Sequence, residues 1–487
     1  MMSDRNPSDP LPDDCRISEL KGHSESKHST PVCYRMNPDR IMLSDAETCI
    51  DSGRCTWPSA NGNSQRFDRQ HDPANGHTTS DNLMPPCLLS RQQHSVIDIG
   101  GAHRVALMIT PVPRGTAIDQ AWEAISTIRV ILNQQPVPMQ LVQQTVFVRN
   151  AEDIPAIRRL CEAYFGNETP GTNYIVQPPC GGQALAIEAW AIGGKNVNVI
   201  FQGADVVTVD YDDLRWIYLS GITPIYPMST AYQQSEYCFA ELARRLHRVG
   251  VGFTNVPRVW LYQGGITHLE NGIERYRELN RARTDYFESL TDIDAMKCER
   301  GHVIYPASTG IGTGGESLVL SAMALKTDRN DVRLVALENP GQVSAFDYER
   351  KYSQKSPKFS RAMAVMTGDY VTTWISGTAS ILDSESVHLG DVEKQTQQTI
   401  DNIECLISDD NLSRHGFKGC GSSLQELAKV RVYIKRAEDY EACRAICESR
   451  FGDLPTVYAL ADVCRPELLV EIEGVAFTKV QSDVVTP

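Results

Sequence analysis

No apolar run in this 487-residue chain approaches the roughly 20 residues needed to cross a bilayer, so no membrane-spanning helix is expected. Residues 1–14 are polar and proline-rich and lack the apolar core of a secretory signal, which leads to the expectation of a cytoplasmic location. Basic excess is missing as well: 47 Lys and Arg face 61 Asp and Glu, for a formal net charge of −14. Nucleic acid and anionic membrane both recruit clustered positive charge, so neither is expected as a partner. A small anionic ligand requires local Arg or Lys set against that global field. No Gly-x-Ser-x-Gly motif occurs, which leaves His388 and His415 without a nucleophile-elbow setting. The glycine-rich stretch 310–315 (GIGTGG) runs into an apolar strand pattern, where a phosphate loop would need a helix N-terminus.

Cysteine is plentiful, but zinc spacing is absent. Of the fourteen, Cys161, Cys238, Cys443 and Cys447 sit in apolar helical or strand patterns, where cysteine packs as a small hydrophobe. Cys443 and Cys447 are four apart and Cys49 and Cys55 lie in a polar stretch; neither pair is joined by His or Cys at a ligand interval. No metal, cofactor or disulfide framework is therefore expected. Residues 1–92 are rich in Ser, Asp, Asn, Pro and His without a sustained period. They read as a disordered tail, unable to bury enough apolar area to offset the entropy of ordering.

From about residue 96 the sequence is globular and repeats itself. Residues 144–170 (QTVFVRNAEDIPAIRRLCEAYFGNETP) and 430–455 (VRVYIKRAEDYEACRAICESRFGDLP) both read as a strand, an Ala-Glu-Asp turn and an amphipathic helix closed by Phe-Gly. Each leads to a further strand, LAIEAWAI at 185–192 and LVEIEGVAF at 469–477. A less obvious copy lies between them: a strand at 216–225, a helix from Gln233 to Gly250, a strand around 256–266, a helix from Arg275 and a strand at 317–325. The last copy opens with YVTTWISGTASI and a helix over DVEKQTQQTIDNIECLI, whereas the first has no clear opening hairpin. Each unit is then β-β-α-β-α-β, an α+β sheet with two helices on one face. The strands are too apolar for water on the other face, so three units are expected to close around a shared centre as a pseudo-trimeric barrel. The expected division is 1–92 tail, 93–205 unit 1, 206–336 unit 2 and 337–487 unit 3, in a chain that acts as a monomer.

The order of elements and the closing Glu-Ile-Glu strand resemble the RidA (YjgF-like) family, whose trimer is shared by one class of chorismate mutase. More closely, ENPGQVSAFDYERKYSQKSPKFSRAMAV from Glu338, WISGTASI, HLGDVEKQTQQTIDNI and RYRELNRARTDYF…YPASTGIG resemble the chorismatase family. The resemblance covers residues 200–480 well and 95–200 loosely. It implies an enzyme that cleaves chorismate to pyruvate and a ring product, with chorismate as its small-molecule partner.

Aligning the three closing strands gives a test that needs no family. The position of Glu471 is Ala186 in unit 1 and Val319 in unit 2; that of Glu473 is Glu188 and Ser321. Strand residues two apart share a face, so Glu471 and Glu473 point the same way, and only unit 3 carries a carboxylate at the first position. One active cleft is expected, not three. Structural carboxylates outnumber catalytic ones, but an isolated one on an apolar strand gains a raised pKa and becomes an acid. Protonating the enol ether of chorismate requires such a donor, and the resemblance assigns that role to Glu471. By the same resemblance Cys464, with Gly at Gly377, marks the 3-hydroxybenzoate-forming type; relatives with Ala at both positions hydrolyse chorismate to a dihydrodiol. Taken alone, Cys464 reads as a packing residue and Gly377 as a bulge or close approach. Two substrate carboxylates call for guanidinium forks, with Arg361 the first candidate and Arg283 and Tyr305 on the facing wall. Arg275, Arg277, Arg281 and Arg283 cannot all point inward on one helix. Two other functions remain open: a RidA-type imine deaminase, disfavoured because no Arg follows Pro170, Pro306 or Pro455 within two residues, and a non-catalytic ligand-binding scaffold.

Overall fold

A computed structural model describes residues 94–203, 205–225, 230–290, 303–348 and 355–480. The expected tail, residues 1–92, lies outside the described residues. The first sheet begins with a hairpin, β1 (His94–Ile99) and β2 (Ala102–Ile109), turned by Gly100 and Gly101 with φ of 59° and 81°. This unit therefore has the opening hairpin that its sequence pattern leaves unclear; a Gly-Gly pair between two apolar runs is the signal that marks it. Helix α1 (Ala117–Asn133) starts on a Thr116–Asp119 capping box, followed by β3 (Met139–Val148), α2 (Ile154–Phe165), β4 (Gly171–Val176) and β5 (Leu185–Gly193). The strand order is β1-β2-β5-β3-β4, with β4 parallel to β3 and the other pairs antiparallel.

The second sheet contains β6 (Asn198–Phe201), β7 (Val206–Tyr211), β8 (Leu214–Ile222), β9 (Arg258–Gly264), β10 (Ala307–Thr313) and β11 (Leu318–Thr327), with helices α3 (Ala231–Arg248) and α4 (Arg275–Ser289). The third contains β12 (Val332–Leu337), β13 (Ala362–Thr367), β14 (Tyr370–Ala379), β15 (Leu427–Ile434), β16 (Thr456–Leu460) and β17 (Val470–Lys479), with α5 (Val392–Ile407) and α7 (Tyr440–Phe451) flanking the short α6 (Asp409–Arg414). Their orders, β6-β7-β8-β11-β9-β10 and β12-β13-β14-β17-β15-β16, repeat the first sheet with one added edge strand. Residues 198–201 pair in the second sheet and 332–337 in the third, because each connection turns back as an antiparallel strand on the hairpin that follows it. Among the described residues these strands form three open sheets and not the expected closed barrel, beside two short two-stranded ribbons.

Each sheet packs its helices on one face, over three separate apolar clusters. The opposite faces share a single cluster drawing on all three sheets. At its centre Trp190 and Trp260 both meet Trp374 edge-on, at centroid distances of 6.0 and 6.3 Å, with one indole from each sheet. Among these rings lies a buried ion network. Lys429 and Arg431 of β15 pair with the two oxygens of Glu188 on β5. Arg431 Nη1 also lies 2.9 Å from Glu473 of β17, and Arg258 Nη2 of β9 lies 2.6 Å from the other oxygen of that carboxylate. Burial opposes the charge of Glu188, but Arg431 and Lys429 outweigh it and hold its carboxyl below the ordinary range. The network thus ties sheet one to three and three to two. Glu188→Ala would leave two buried cations without their shared partner, and we expect a loss of about 3–5 kcal/mol in denaturant unfolding.

Candidate active site

A cleft of about 330 Å³ opens where edge strand β10 of the second sheet faces β14 and β17 of the third. One wall is Tyr276, Asn280 and Arg283 of α4 with Ser308 and Gly310 of β10; the other includes Arg361, Gly377, Cys464 and Glu471. The structure thus gathers five of the six expected residues. Tyr305 is the exception. It does not line the cleft, because its ring packs between Phe287 and Phe346 at 5.3 and 5.7 Å.

Glu471 sits on β17 opposite Tyr433 and is 4% exposed. The matching pairs in the other sheets are Ala186 opposite Phe147 and Val319 opposite Tyr262, so the alignment of the closing strands holds in space. Burial, reinforced by Glu473, raises the Glu471 carboxyl to about 8, against partial relief from Arg258 and Arg361. An acid so placed holds its proton at neutral pH.

Gly377 is both of the things glycine in a strand tends to be. The register of β14 against β17 shifts between Ile375 and Thr378, so it lies in a bulge. A Cβ there would overlap the Glu471 carboxyl, standing 2.9 Å from its Cδ, and would meet Thr309 Cγ2 at 3.1 Å. The freed Gly377 N–H donates to Thr309 Oγ1 at 2.9 Å, and Thr309 in turn hydrogen-bonds the Glu473 carboxylate. The bulge of one sheet is therefore fastened to the central network through a residue of another.

Both expected guanidiniums are buried. Arg361 Nη2 donates to Val343 O at 3.1 Å and Tyr348 Oη at 2.5 Å; Arg283 Nη2 donates to Asn280 Oδ1 at 2.5 Å. Neither lies within ion-pair distance of a carboxylate among the described residues, and the Nε of each is a buried donor without an acceptor there. Phe359 lies between them, its ring 5.4 Å from the Arg283 guanidinium and 5.5 Å from that of Arg361. The other arginines of α4 are held elsewhere: Arg277 on Glu274, Arg281 on Glu278, and Arg275 on Gly264 O. Cys464 lies in the bend before Pro466, off the regular strand, which lets it share the cleft with Glu471 despite their odd separation. Burial and the nearby Glu471 push its thiol up to about 12.

Tyr276, Asn280 and Gly310 line the cleft and are not singled out by the sequence reasoning. Tyr276, Asn280 and Arg283 recur at helical spacing, a polar stripe that scanning α4 for arginine alone passes over. Among the described residues no cluster of His, Cys, Asp and Glu is arranged to hold a metal, no helix is long and apolar enough to cross a membrane, and all eight cysteines are free.

Residues 202–324 match the family model described as chorismatase FkbO/Hyg5-like, N-terminal. The chain is 38% identical over 230 residues to a 3-hydroxybenzoate synthase of Streptomyces hygroscopicus, covering 46% of this chain and 64% of the relative. It is 34% identical over 230 residues to a chorismatase of Streptomyces rapamycinicus, covering 46% and 65%. It thus spans just under two thirds of the length of these relatives. A crystal structure of a chorismatase superposes with a TM-score of 0.54 at 21% identity, over 69% of this chain and 93% of that one, which speaks for a common fold. The resemblance to chorismatases read from the sequence is borne out.

The raised acid gives an expectation independent of activity. Its folded value, about 8, lies above the ordinary carboxyl value of 4.5, so from about pH 4.5 the unfolded chain gives up a proton that the folded chain keeps, and stability falls until about pH 8. Glu471→Gln removes that cost. The melting temperature of the variant relative to the parent should therefore climb between about pH 5 and pH 8 and level off above, and a constant difference across pH 5–8 would show that Glu471 is not a buried neutral acid.

Proposed function

We propose that this chain is a chorismatase that converts chorismate to pyruvate and 3-hydroxybenzoate, with Glu471 as the acid. The observation that carries the reading is the Glu471 carboxyl, raised to about 8, in the same cleft as two buried guanidiniums that lie within ion-pair distance of no carboxylate among the described residues. Such a cleft suits a dianion carrying an acid-labile enol ether. The names of the relatives support the substrate.

Glu471 delivers its proton to the terminal methylene of the enolpyruvyl group, and positive charge develops at the ether carbon. One of the two ring oxygens leaves with pyruvate and the other stays on the ring. The ring gives up a proton as it aromatises, so the acid is restored, and the two products together contain the atoms of chorismate with no water added. Arg361 and Arg283 hold the substrate carboxylates. Cys464 is the residue assigned to steering the ring away from hydration, which would instead give the dihydroxycyclohexadiene carboxylate. Tyr305 has no direct part in this scheme.

The same reading takes the three sheets, with their helices, as RidA-like units around a pseudo-threefold centre, and residues near 198 and 332 as where units two and three begin. Both walls of the cleft come from one chain, so a monomer suffices. A RidA-type deaminase is not favoured: Thr172, Ser308 and Thr456, equivalent by strand register, give no arginine at the edge strand.

Incubation with chorismate, with pyruvate assayed by a coupled reaction and the ring product identified by chromatography, tests the proposal. Glu471→Gln should lower kcat by at least about 10²-fold, as loss of a general acid does. For the parent, kcat/KM should be flat at neutral pH and fall as pH rises through about 8, because the acid must be protonated. Arg361→Ala should chiefly raise KM, by the loss of a charge-assisted contact of about 1.5–3 kcal/mol. No pyruvate from the parent enzyme, or near-normal turnover by the glutamine variant, would overturn the reading.

A further inference from the structure

The ring of Phe359 is common to both cleft guanidiniums: Arg283 Cζ stands over it at 5.4 Å from the centroid and Arg361 Cζ at 5.5 Å. The two cations reach it from different units, Arg283 from α4 and Arg361 from the residue before β13, and all three side chains line the cleft. They are buried, with exposures of 3% for Arg283, 4% for Arg361 and 9% for Phe359. Two like charges so far from water repel each other, and neither has a carboxylate within ion-pair distance among the described residues. What they share is the negative face of an aromatic ring, which attracts a cation most where water is excluded.

The backbone on which the ring stands is fastened to both walls. Ser360 N donates to Pro306 O at 3.2 Å and Ser360 Oγ to Tyr305 O at 2.8 Å, which clamps the residue after Phe359 to the second sheet. Ser360 O accepts from Ser376 Oγ at 2.6 Å, and Ser376 Oγ accepts from Ser308 N at 2.8 Å. Ser376 N donates to Arg361 O at 3.0 Å, and Ser308 Oγ accepts from Arg283 Nη1 at 3.5 Å. Three serines thus tie β10 and β14 to the chain that carries Phe359 and Arg361. The ring and the two cations belong to one hydrogen-bonded frame.

We propose that Phe359 is a positioning residue that holds Arg283 and Arg361 at a fixed span, and that this span selects a ligand with two carboxylates over one with a single carboxylate. A dianion of matching span satisfies both guanidiniums, whereas a monoanion leaves one buried cation unpaired, which is costly. Without the ring, repulsion separates the cations and the span is lost, while either guanidinium can still hold one carboxylate. The consequence for chorismate rests on the chorismatase reading; the two-carboxylate span does not.

The test uses a pair of ring probes: 3-(carboxymethoxy)benzoate, which has a second carboxylate on a meta ether arm, and 3-methoxybenzoate, which lacks it. Phe359→Leu removes the ring; Phe359→pentafluorophenylalanine nearly keeps its shape but reverses the charge of its face. By calorimetry the parent should prefer the dianion by at least about tenfold, the effect of one charge-assisted hydrogen bond. In both variants the preference should fall below about threefold, with affinity for 3-methoxybenzoate within about twofold of the parent. With chorismate both should raise KM about tenfold and leave kcat within about threefold, because Glu471 is untouched. Should Phe359→Leu fail to fold, the fluorinated protein decides alone. A parent that binds the two probes equally, or binds neither, overturns the selection of a dianion. Variants that lose or gain affinity for both probes alike overturn the positioning role. Absence of pyruvate from the parent enzyme overturns the chorismatase reading, while the probes still decide the span.

Discussion

Two carboxylates buried where the three sheets meet set the terms for the rest of the molecule. Glu188 and Glu473 occupy the same position on the closing strands of sheets one and three, and between them lie Lys429, Arg431 and Arg258. Burying so many charges is costly unless each is paired and hydrogen-bonded. Here Trp260 Nε1, at 3.1 Å, and Tyr433 Oη, at 3.3 Å, complete the shell of Glu473, and Tyr262 Oη accepts from Arg431 at 2.5 Å. A small rotation of any one sheet would strand a charge in an aromatic interior. Apolar packing alone would tolerate sliding; this network does not.

That rigidity reaches the cleft through short connections. Glu471 is two residues from Glu473 on the same strand, so fixing one carboxylate fixes the strand that carries the other. Thr309 hydrogen-bonds Glu473 and accepts from the Gly377 N–H, which anchors the bulge facing Glu471. The proximity of Glu473 also adds to the burial that keeps Glu471 protonated. The device that assembles the sheets and the device that tunes the acid are one set of side chains. A mutation in the centre should therefore be read with both consequences in mind.

The repeat is legible in the sequence because helix and strand periods survive divergence, and the closing strands align residue for residue: Ala186, Val319 and Glu471 do stand opposite Phe147, Tyr262 and Tyr433. Glu471 is visible as a lone carboxylate on an apolar strand, whereas Cys464, Gly377, Arg361 and Arg283 stand out only once the resemblance to chorismatases supplies a substrate. What is not legible depends on relations across units. Nothing local to Tyr305 says that Phe287 and Phe346 will enclose its ring. Nothing in GIGTGG says that a Cβ on Gly310 would stand 3.1 Å from Cε2 of Tyr276, since the constraint comes from a helix about thirty residues earlier. The edge strands 198–201 and 332–337 are not legible either, because a connecting strand carries no mark of the sheet it will join.

The interface between sheets three and one shows how little of a cleft's function lies in its shape. It encloses about 300 Å³ along edge strand β16, close to the 330 Å³ of the candidate site, and Thr110 lines it as Ala379 lines the other. By register Thr110 and Ala379 neighbour the positions of Ala186 and Glu471 respectively. The strand position held by Gly310 is there Tyr458, against Tyr440 at 5.5 Å, and the lining carries no arginine and no other charged side chain. A chain of net charge −14 has no general field to draw an anion into either cleft. The difference must then come from local guanidiniums, and a guanidinium is useful to an anion only if no carboxylate of the protein has already claimed it. Arg258 and Arg431 are claimed at the centre; Arg361 and Arg283 are buried, lack an ion pair among the described residues, and face the cleft that holds Glu471. Two clefts of similar size and position thus differ through the placement of a few charges on a common frame.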